Sequence, residues 1–396
     1  MRIAYICSDP GVPAFGPKGS SIHVQEVMRA LVGLGAEVEL FIARVGDDPP
    51  PDFMDLKIHA LPAAPMGDLL QRELAGLAAN KNLSEALVLS GPFDLVYERY
   101  SLWSYAGMEY ALAMCIPGML EVNAPLLKEQ MLYRGLVDCQ GAEQVARKVF
   151  ATAACLVAVS DEIASYLESF PDTRGRVHVI PNGVDPERFS KEFKPALPAR
   201  PGTFTVGFVG SLKPWHGLPV LVEAFASLLH RYAACRLLIV GDGPQRINLE
   251  AQIESLGISP AVHMTGFIPA DQIPGMLASM DVGVVSFPGS EEFYFSPLKV
   301  FEYMAAGLPV IAARTGQLTK IITDGINGLS FPPGDALALV DLLDRLRLSP
   351  RLRHRMGESG RAEVERAYTW QSVARRILAL AELSTRRLSP ADLGAV

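Results

Sequence analysis

Short apolar runs alternate with amphipathic segments along the chain. An apolar run at residues 2–7 precedes a loop rich in glycine and proline, and residues 21–31 then repeat apolar side chains at helical spacing. A further apolar run at 37–43 follows two glycines that end the helical pattern. This order predicts a strand, a helix and a parallel strand.

The same order returns in the second half of the chain. Residues 204–209 read as a strand, 210–217 as a glycine loop, 218–232 as an amphipathic helix and 236–240 as the next strand. The pattern predicts an α/β protein with two doubly wound, Rossmann-like domains whose glycine loops face one interdomain cleft. The other predicted strands are 95–97, 118–122, 155–159, 178–180, 262–265, 282–286 and 310–313.

Two segments interrupt this pattern. Residues 191–202 contain three prolines within seven residues, which predicts a linker between domains 1–190 and 203–371. Residues 47–65 are proline-rich and predict a long loop, and the end of the chain after Ser389 is expected to be loose.

Composition excludes several classes of protein. The 396 residues are 49% hydrophobic and 20% charged, which fits globular domains, and the net charge of -7 argues against a nucleic-acid binder. Five scattered cysteines without a C-x-x-C pair predict reduced thiols rather than disulfides or a zinc site. The first apolar run is too short for a secretory signal and other runs are strand-sized, so a soluble, cytoplasmic protein is expected.

Charge is concentrated near the end of the chain. Residues 344–387 hold eleven arginines against five acidic residues. We favour solvated helix faces as the interpretation. The alternative is peripheral contact with an anionic membrane or a lipid-diphosphate acceptor.

The segment 296–311 carries the strongest candidate chemistry. Ser296 suits a helix N-cap and Pro297 the first helical position. Free backbone N–H groups at Leu298 and the charge of Lys299 would then form an anion site, with Glu302 one turn deeper to bind a ribose diol. An ordinary amphipathic helix with a solvated lysine and glutamate is an equally valid interpretation of this segment alone.

An ordered set of short motifs resembles family 4 glycosyltransferases of the GT-B architecture. The set comprises Gly16-Pro-Lys-Gly19, Val159-Ser160, Ile180-Pro-Asn-Gly-Val-Asp185, Phe208-Val-Gly210, Gly241-Asp-Gly-Pro244, Gly266-Phe267-Ile268, Ala305-Ala-Gly-Leu-Pro-Val310, Asn327-Gly-Leu329 and Tyr368-Thr-Trp370. The resemblance extends over nearly the whole chain and is most specific at 205–332. It implies a final helix, at about 372–390, that packs back on the first domain.

The resemblance also implies a reaction. A sugar would move with retention of configuration from a nucleoside-diphosphate sugar held by the C-terminal domain to a hydroxyl of an acceptor held by the N-terminal domain. The acceptor could be a small molecule, a glycan or a lipid-linked molecule. Neither a metal nor a cofactor is expected, and the sequence contains no D-x-D. Positive groups would instead stabilise the leaving diphosphate.

Site residues follow from matching the motifs to this chain. The expected catalytic residues are Lys213, Lys299, Glu302 and Asn123. The expected donor-binding residues are Gly19, Gly210, Ser211, His216, Gly241, Phe267, Ile268, Glu292, Tyr294, Ser296, Leu298, Lys299 and Glu302. The expected acceptor-binding residues are Gly16, Lys18, Ser20, Glu98, Arg99, Asn123 and Ser160. For Glu98 and Arg99 a structural ion pair is the alternative, and for His23 a place on a helix face is favoured over catalysis.

The chain departs from the family pattern at four positions. Tyr294 stands where the first glutamate of the Glu-x7-Glu signature is expected, so Glu292 or Glu291 would have to reach the donor sugar. Ser211 and His216 replace an arginine and a lysine that bind the diphosphate. Asn123 replaces a histidine and cannot transfer a proton, although its amide can bind a sugar hydroxyl.

These departures keep two other functions open. One is a sugar-nucleotide epimerase of the same architecture, and the other is a nucleotide-sugar-binding protein with impaired catalysis. A nicotinamide dehydrogenase fits poorly because both glycine loops lack the G-x-G-x-x-G fingerprint.

Overall fold

The chain forms two compact units, each built on one parallel sheet. A computed structural model describes residues 1–62, 67–189, 193–288, 294 and 296–387, with side chains described up to residue 384. The first unit comprises Met1–Asn182, Tyr294–Ser296 and the segment from Trp370 onward. The second comprises Gly183–Phe293 and Pro297–Thr369.

The first unit contains a seven-stranded sheet. Its strands are β1 (Arg2–Cys7), β2 (Glu37–Ile42), β3 (Lys57–Ala60), β4 (Leu95–Arg99), β5 (Gly118–Val122), β6 (Cys155–Ala158) and β7 (Val177–Val179). They pair in parallel in the order β3-β2-β1-β4-β5-β6-β7, so the direction of winding reverses between β1 and β4. Near-continuous apolar sequences suit these strands because helices cover both faces of a doubly wound sheet.

The second unit contains a six-stranded sheet of the same kind. Its strands are β8 (Phe204–Val209), β9 (Cys235–Val240), β10 (Val262–Met264), β11 (Val282–Val285), β12 (Val310–Ala313) and β13 (Gly328–Phe331). They pair in parallel in the order β10-β9-β8-β11-β12-β13. Winding therefore reverses between β8 and β11.

Helices occupy most of the intervals between strands. They are α1 (Gly19–Gly33), α2 (Leu69–Ser90), α3 (Ala106–Ala113), α4 (Leu126–Glu129), α5 (Cys139–Thr152), α6 (Asp161–Glu168), α7 (Leu218–Arg231), α8 (Arg246–Ser255), α9 (Ile273–Leu277), α10 (Leu298–Ala305), α11 (Leu318–Ile321), α12 (Ala336–Leu348), α13 (Pro350–Ala367) and α14 (Trp370–Arg387). Several begin at residues whose side chains accept a hydrogen bond from the first turn, as Asp68, Asp138 and Ser160 do.

The two-domain α/β fold predicted from the sequence is confirmed, and most strands lie within a residue or two of their predicted bounds. The prediction of a loop over 47–65 was wrong, because β3 forms there beside β2. Residues 63–65 of that segment, and those after Ser389, lie outside the described residues. Strand β13 was not predicted either, because its run Gly328–Phe331 is short and contains a glycine and a serine.

The division between units falls earlier than the predicted boundary at residue 190. Part of the predicted linker packs within the second unit, where Ala196 N–H donates to Gly275 O over 2.9 Å and Leu197 N–H to Ser279 Oγ over 3.0 Å. The last helix begins at Trp370, which contacts the ring of His23 on α1 edge-on with centroids 5.2 Å apart.

Two further predictions concern the cysteines and membrane-spanning helices. The five cysteines are all free thiols, with Cys115 and Cys139 exposed. None of the helices in the described segments is both long and apolar enough to span a membrane.

Candidate functional site

Two glycines shape the ends of the central strands of the second unit. Gly210 follows β8 with φ +138° and Gly241 follows β9 with φ +136°. A Cβ at Gly241 would collide with the carbonyl oxygen of Gly210. Only glycine accommodates this close crossing of backbones, which leaves an open loop at the carboxyl ends of the strands.

Lys299 points its ammonium group into this loop. Its Nζ is buried, lies 4.2 Å from the ring centroid of Phe208, and would be 2.9 Å from a Cβ built at Gly210. Among the described residues Nζ has no hydrogen-bond partner. Burial lowers the pKa of Lys299 to about 7, and the charge of Glu302 opposes this shift only in part. An unpaired buried cation of this kind provides a site for an anion.

His216 lies in the same loop as a neutral ring. Burial, followed by the charges of Lys299 and Lys213, lowers the pKa of His216 to about 3. Nδ1 lies 2.6 Å from the carbonyl oxygen of Ser211. Since a neutral imidazole can meet a carbonyl only through N–H, Nδ1 donates and Nε2 remains an acceptor. His216 therefore cannot replace the positive charge of the lysine that the family pattern places there.

The remaining donor candidates of the second unit lie around this loop. The backbone N–H of Gly241 donates to Gly266 O over 3.0 Å, which brings Phe267 and Ile268 beside the loop. The Phe267 side chain is 59% exposed, so it is not a core residue. Lys213 is half-buried and lies 5.6 Å from the ring centroid of Trp215.

The start of α10 corrects one prediction. Helix α10 begins at Leu298 with Pro297 at the N-cap, so Ser296 does not cap it and Pro297 is not its first residue. No side chain caps this end. Its free N–H groups, together with Lys299 and the half-buried Glu302 on the same helix, form the described part of the predicted anion site.

Tyr294 and Ser296 group with the first unit rather than with the donor residues of the second. The Tyr294 hydroxyl donates to Glu129, and its carbonyl accepts from Ser160 Oγ over 2.8 Å. Ser296 Oγ accepts from Asn182 N–H over 3.0 Å. Burial, then Glu129, raises the pKa of Tyr294 far above its ordinary value. Glu292 and Glu291 lie outside the described residues.

A buried polar network holds Asn123 at the end of β5. Arg99 donates to the amide oxygen of Asn123, and the amide nitrogen donates to Glu121. His23 Nε2 lies 2.9 Å from the same carboxylate, and the Tyr97 hydroxyl donates to it. Burial opposes ionisation of Glu121, but His23, then Arg99 and Tyr97, lower its pKa to about 2. The network fixes which way the Asn123 amide faces.

Neither the role of Glu121 nor that of His23 was predicted from the sequence. The available signal was a charged residue inside the apolar strand Gly118–Val122, since such a residue is seldom buried without a partner. His23 does lie on a helix face, but that face is buried and its Nδ1 has no hydrogen-bond partner among the described residues.

Glu98 does not form the structural ion pair that was considered for it. Its carboxyl is fully buried, accepts from Ser104 Oγ, and leaves Oε2 without a partner in the described segments. Burial raises the pKa of Glu98 to about 7, although the hydrogen bond from Ser104 opposes this. Arg99 turns instead to Asn123 and lies 3.8 Å from Glu121. Acceptor binding by Glu98 stays a prediction.

The other candidates of the first unit lie on the surface or at helix starts. Gly16, Lys18, Gly19 and Ser20 form the turn into α1, with Lys18 at its N-cap and exposed. Ser160 is fully buried, and its Oγ accepts from Ile163 N–H at the start of α6.

Part of the arginine-rich stretch has a structural role. Arg361 donates to the carbonyl oxygens of Phe189 and Ala305, and the guanidinium carbon of Arg347 lies 3.3 Å from the ring centroid of Tyr232. Others, such as Arg345 and Arg355, are exposed.

Within the described segments, no three His, Cys, Asp or Glu side chains are grouped so that they could hold a metal ion.

Comparison with known proteins identifies the class of protein that has this fold. The sequence profile of glycosyltransferase family 4 matches residues 17–188, and that of the group 1 glycosyl transferases matches 189–363. The structure of HepE from Anabaena in complex with UDP superposes with a TM-score of 0.74 at 17% identity, covering 97% of this chain and all of that one. Two Rossmann-like units of this kind define the GT-B glycosyltransferases.

Relatives with curated names agree with that class. The MMP alpha-(1->4)-mannosyltransferase of Mycolicibacterium hassiacum is 26% identical over 94% of this chain and 96% of its own. The D-inositol 3-phosphate glycosyltransferase of Actinosynnema mirum is 28% identical over 91% of both chains. The chain thus belongs to family 4 of the nucleotide-sugar glycosyltransferases.

Proposed function

We propose that this enzyme is a retaining glycosyltransferase that moves a sugar from a nucleoside-diphosphate sugar to an acceptor hydroxyl without a metal ion or cofactor. The observation that carries the proposal is the buried Lys299 ammonium, which faces a glycine loop without a partner among the described residues. Desolvating a charge costs free energy that an anionic ligand would restore. The presence of UDP in the structure of HepE supports a nucleotide as that ligand.

The proposed chemistry stabilises the leaving group rather than creating a nucleophile. Lys299, Lys213 and the start of α10 stabilise the charge that develops on the diphosphate as its bond to the sugar breaks. A phosphate oxygen accepts the proton of the acceptor hydroxyl, whose oxygen forms the new bond on the same face of the sugar. Glu302 binds the ribose diol, and Asn123 binds a sugar hydroxyl without transferring a proton.

Calorimetric titration with UDP, GDP and ADP tests the donor site. Wild type should bind one of them, and Lys299→Met should weaken binding by about tenfold to a hundredfold, as expected when a charged hydrogen bond is lost. Lys299→Arg should restore part of the affinity, and Lys320→Met, which removes an exposed lysine of the same unit, should change nothing. Equal binding by Lys299→Met and wild type would contradict the assignment.

The pH dependence of binding gives an independent check. Because the pKa of free Lys299 is about 7, raising the pH from 7 to 9 deprotonates it, and a diphosphate must then bring a proton with it. Affinity of the wild type should fall over this range, and that of Lys299→Arg should not. A flat profile in the wild type would show that Lys299 does not hold the anion.

Product analysis separates the possible activities. Transfer should retain anomeric configuration by NMR and persist in EDTA, and Lys299→Ala and Glu302→Ala should each lose it. If the donor were instead altered at one ring carbon in the absence of an acceptor, the protein would be an epimerase. If it bound the donor without turnover, it would be a nucleotide-sugar-binding protein with impaired catalysis.

Peripheral membrane contact through the arginine-rich stretch stays a prediction. Sedimentation with anionic liposomes at different salt concentrations tests it.

A further inference from the structure

A cavity of about 470 Å³ lies within the first unit, and none of the site residues predicted from the sequence is among the residues that line it. It is lined by residues that follow β1 and β4, including Ser8 and Ser104. The winding of this sheet reverses between those two strands, which is where open parallel sheets bind ligands. Its volume falls within the range of about 300–1,000 Å³ that small-molecule sites occupy.

Two buried polar residues of α2 hold the walls of this cavity in place. The Glu73 carboxylate accepts from the backbone N–H of Val137 over 2.8 Å and of Asp138 over 2.9 Å. Asn80 donates to Trp103 O over 2.8 Å, and its amide oxygen accepts from the backbone N–H groups of Tyr105 and Ala106. Both side chains are at most 5% exposed. Burying a polar side chain costs free energy unless its hydrogen bonds are made. Because Glu73 and Asn80 make theirs to backbone groups of two loops, they hold these loops in position.

The cavity presents an aromatic ring on one side. A Cβ at Gly76 would lie 3.0 Å from Trp103 Cβ and 3.1 Å from Cγ, so glycine lets α2 approach the indole closely. Trp103 is only partly buried and lines the cavity. An indole face offers a flat apolar surface to the C–H groups of a ring compound.

Polar groups surround that ring. Ser104 Oγ gives its proton to Glu98, so its lone pairs are left to accept from a ligand hydroxyl, and Ser8 Oγ lies 3.3 Å away. Gln130 lines the cavity from beyond α4 and can both donate and accept. Arg72 and Arg134 line it from exposed positions at the rim. Guanidinium groups bind phosphate and carboxylate with two parallel hydrogen bonds.

We propose that this cavity is the acceptor site, and that its ligand is a monosaccharide or cyclic polyol carrying an anionic group directed at Arg72 and Arg134. The proposal rests on the proposed function, because a glycosyltransferase needs an acceptor with a free hydroxyl. Trp103 covers one face of the ring, Ser8, Ser104 and Gln130 bind hydroxyls, and the rim arginines bind the anion. The anion can belong to a free phosphate ester or to a lipid phosphodiester.

Ligand-observed NMR titrations with four probes test this site: D-glucose, glucose 6-phosphate, myo-inositol and myo-inositol 1-phosphate. Each phosphorylated probe should bind about tenfold more tightly than its neutral counterpart, as for a hydrogen bond to a charged group. Ala79→Phe, which fills the cavity from α2, should abolish binding. Leu74→Phe places the same side chain on an exposed part of that helix, outside the lining, and should bind like wild type.

A second variant guards against misfolding of Ala79→Phe. Arg72→Glu with Arg134→Glu changes only the exposed rim and should remove the preference for phosphorylated probes. Adding a short-chain phosphatidylinositol as a further probe distinguishes a lipid phosphodiester from a free phosphate ester, according to which binds more tightly. Wild type that binds none of the probes, or Ala79→Phe that binds them all, would overturn the proposal.

The outcome is separable from that of the proposed function. Binding of UDP, GDP or ADP is measured on the same samples and depends on the second unit. Diphosphate binding without probe binding overturns only the acceptor site, and probe binding without diphosphate binding overturns only the donor assignment.

Discussion

At the residue scale, four titratable side chains have pKa values displaced from their ordinary range, namely Glu98, Glu121, Lys299 and His216. Glu98 on β4 and Glu121 on the neighbouring strand β5 are both buried, yet their pKa values move in opposite directions. Glu121 has Arg99, His23 and the Tyr97 hydroxyl as partners, whereas Glu98 has only Ser104 among the described residues. In the second unit, burial lowers the pKa of both Lys299 and His216. Residue type alone does not give these signs, because each depends on neighbours from other elements.

Replacing Glu98 by glutamine should stabilise the protein at neutral and alkaline pH. The pKa of Glu98 rises from 4.5 to about 7 on folding, so ionisation penalises the folded state increasingly as pH rises from 4.5 to 7. Glu98→Gln removes a penalty on the order of 3 kcal/mol at pH 8. Urea unfolding should show a gain at pH 8 that falls to about a quarter of its size at pH 5.

Glu121→Gln is the matched control with the opposite sign. Its carboxyl has a folded pKa of about 2, so it contributes stability above pH 4.5 that is lost as pH falls toward 2. The variant should lose about 3–5 kcal/mol at pH 7, because His23 and Arg99 lose a buried anionic partner. If both variants shifted stability in the same direction at pH 8, the opposite pKa shifts would be wrong.

At the scale of elements, small residues decide how closely helices approach their neighbours. Gly357 in α13 lies against the backbone of Gly307, which follows α10, and a Cβ there would collide with the Gly307 carbonyl. Gly283 in β11 leaves room for the ring of Tyr303, whose hydroxyl oxygen accepts from Val209 N–H over 2.7 Å. These contacts set the position of α10, and hence of Lys299, relative to the sheet.

Gly357→Ala should therefore destabilise the second unit. The added methyl group meets backbone that cannot rotate away, so overpacking is expected to cost about 1–3 kcal/mol. Gly33→Ala, at the exposed end of α1 with nothing within 4 Å, should gain up to about 1 kcal/mol from helix propensity. Denaturant unfolding compares the two variants, and equal effects would show that α13 does not pack as closely as described.

At the scale of the whole molecule, the first unit is assembled from three separate parts of the chain. Trp370 at the start of α14 is 5% exposed and contacts α1, although about 350 residues separate the two in sequence. Tyr294 and Ser296 join the same unit through Glu129, Ser160 and Asn182. The first unit thus cannot complete its packing until the C-terminal helix is present.

Trp370→Ala should destabilise the first unit selectively. Truncating a buried aromatic side chain costs about 3–5 kcal/mol. Hydrogen exchange should accelerate in β1, β4 and α1, while amides of β8 and β9 keep their protection. Leu383→Ala, at a 56% exposed position of the same helix, is the control and should leave both units unchanged. Uniform acceleration in the two units would contradict selective packing of α14.

The sequence by itself determined the α/β class and the two-domain organisation, because apolar periodicity and glycine placement are local properties of the chain. The resemblance of an ordered set of short motifs indicated the family. Lys299, Gly210 and Gly241 were named as site candidates from local motifs as well, and their roles stay predictions. Only the tertiary structure decided that Ser296 does not cap α10, that Tyr294 joins the first unit, and that Glu121 holds Asn123. It alone showed the cavity beside Trp103. Each depends on contacts between residues far apart in sequence, whose burial and partners no local pattern encodes.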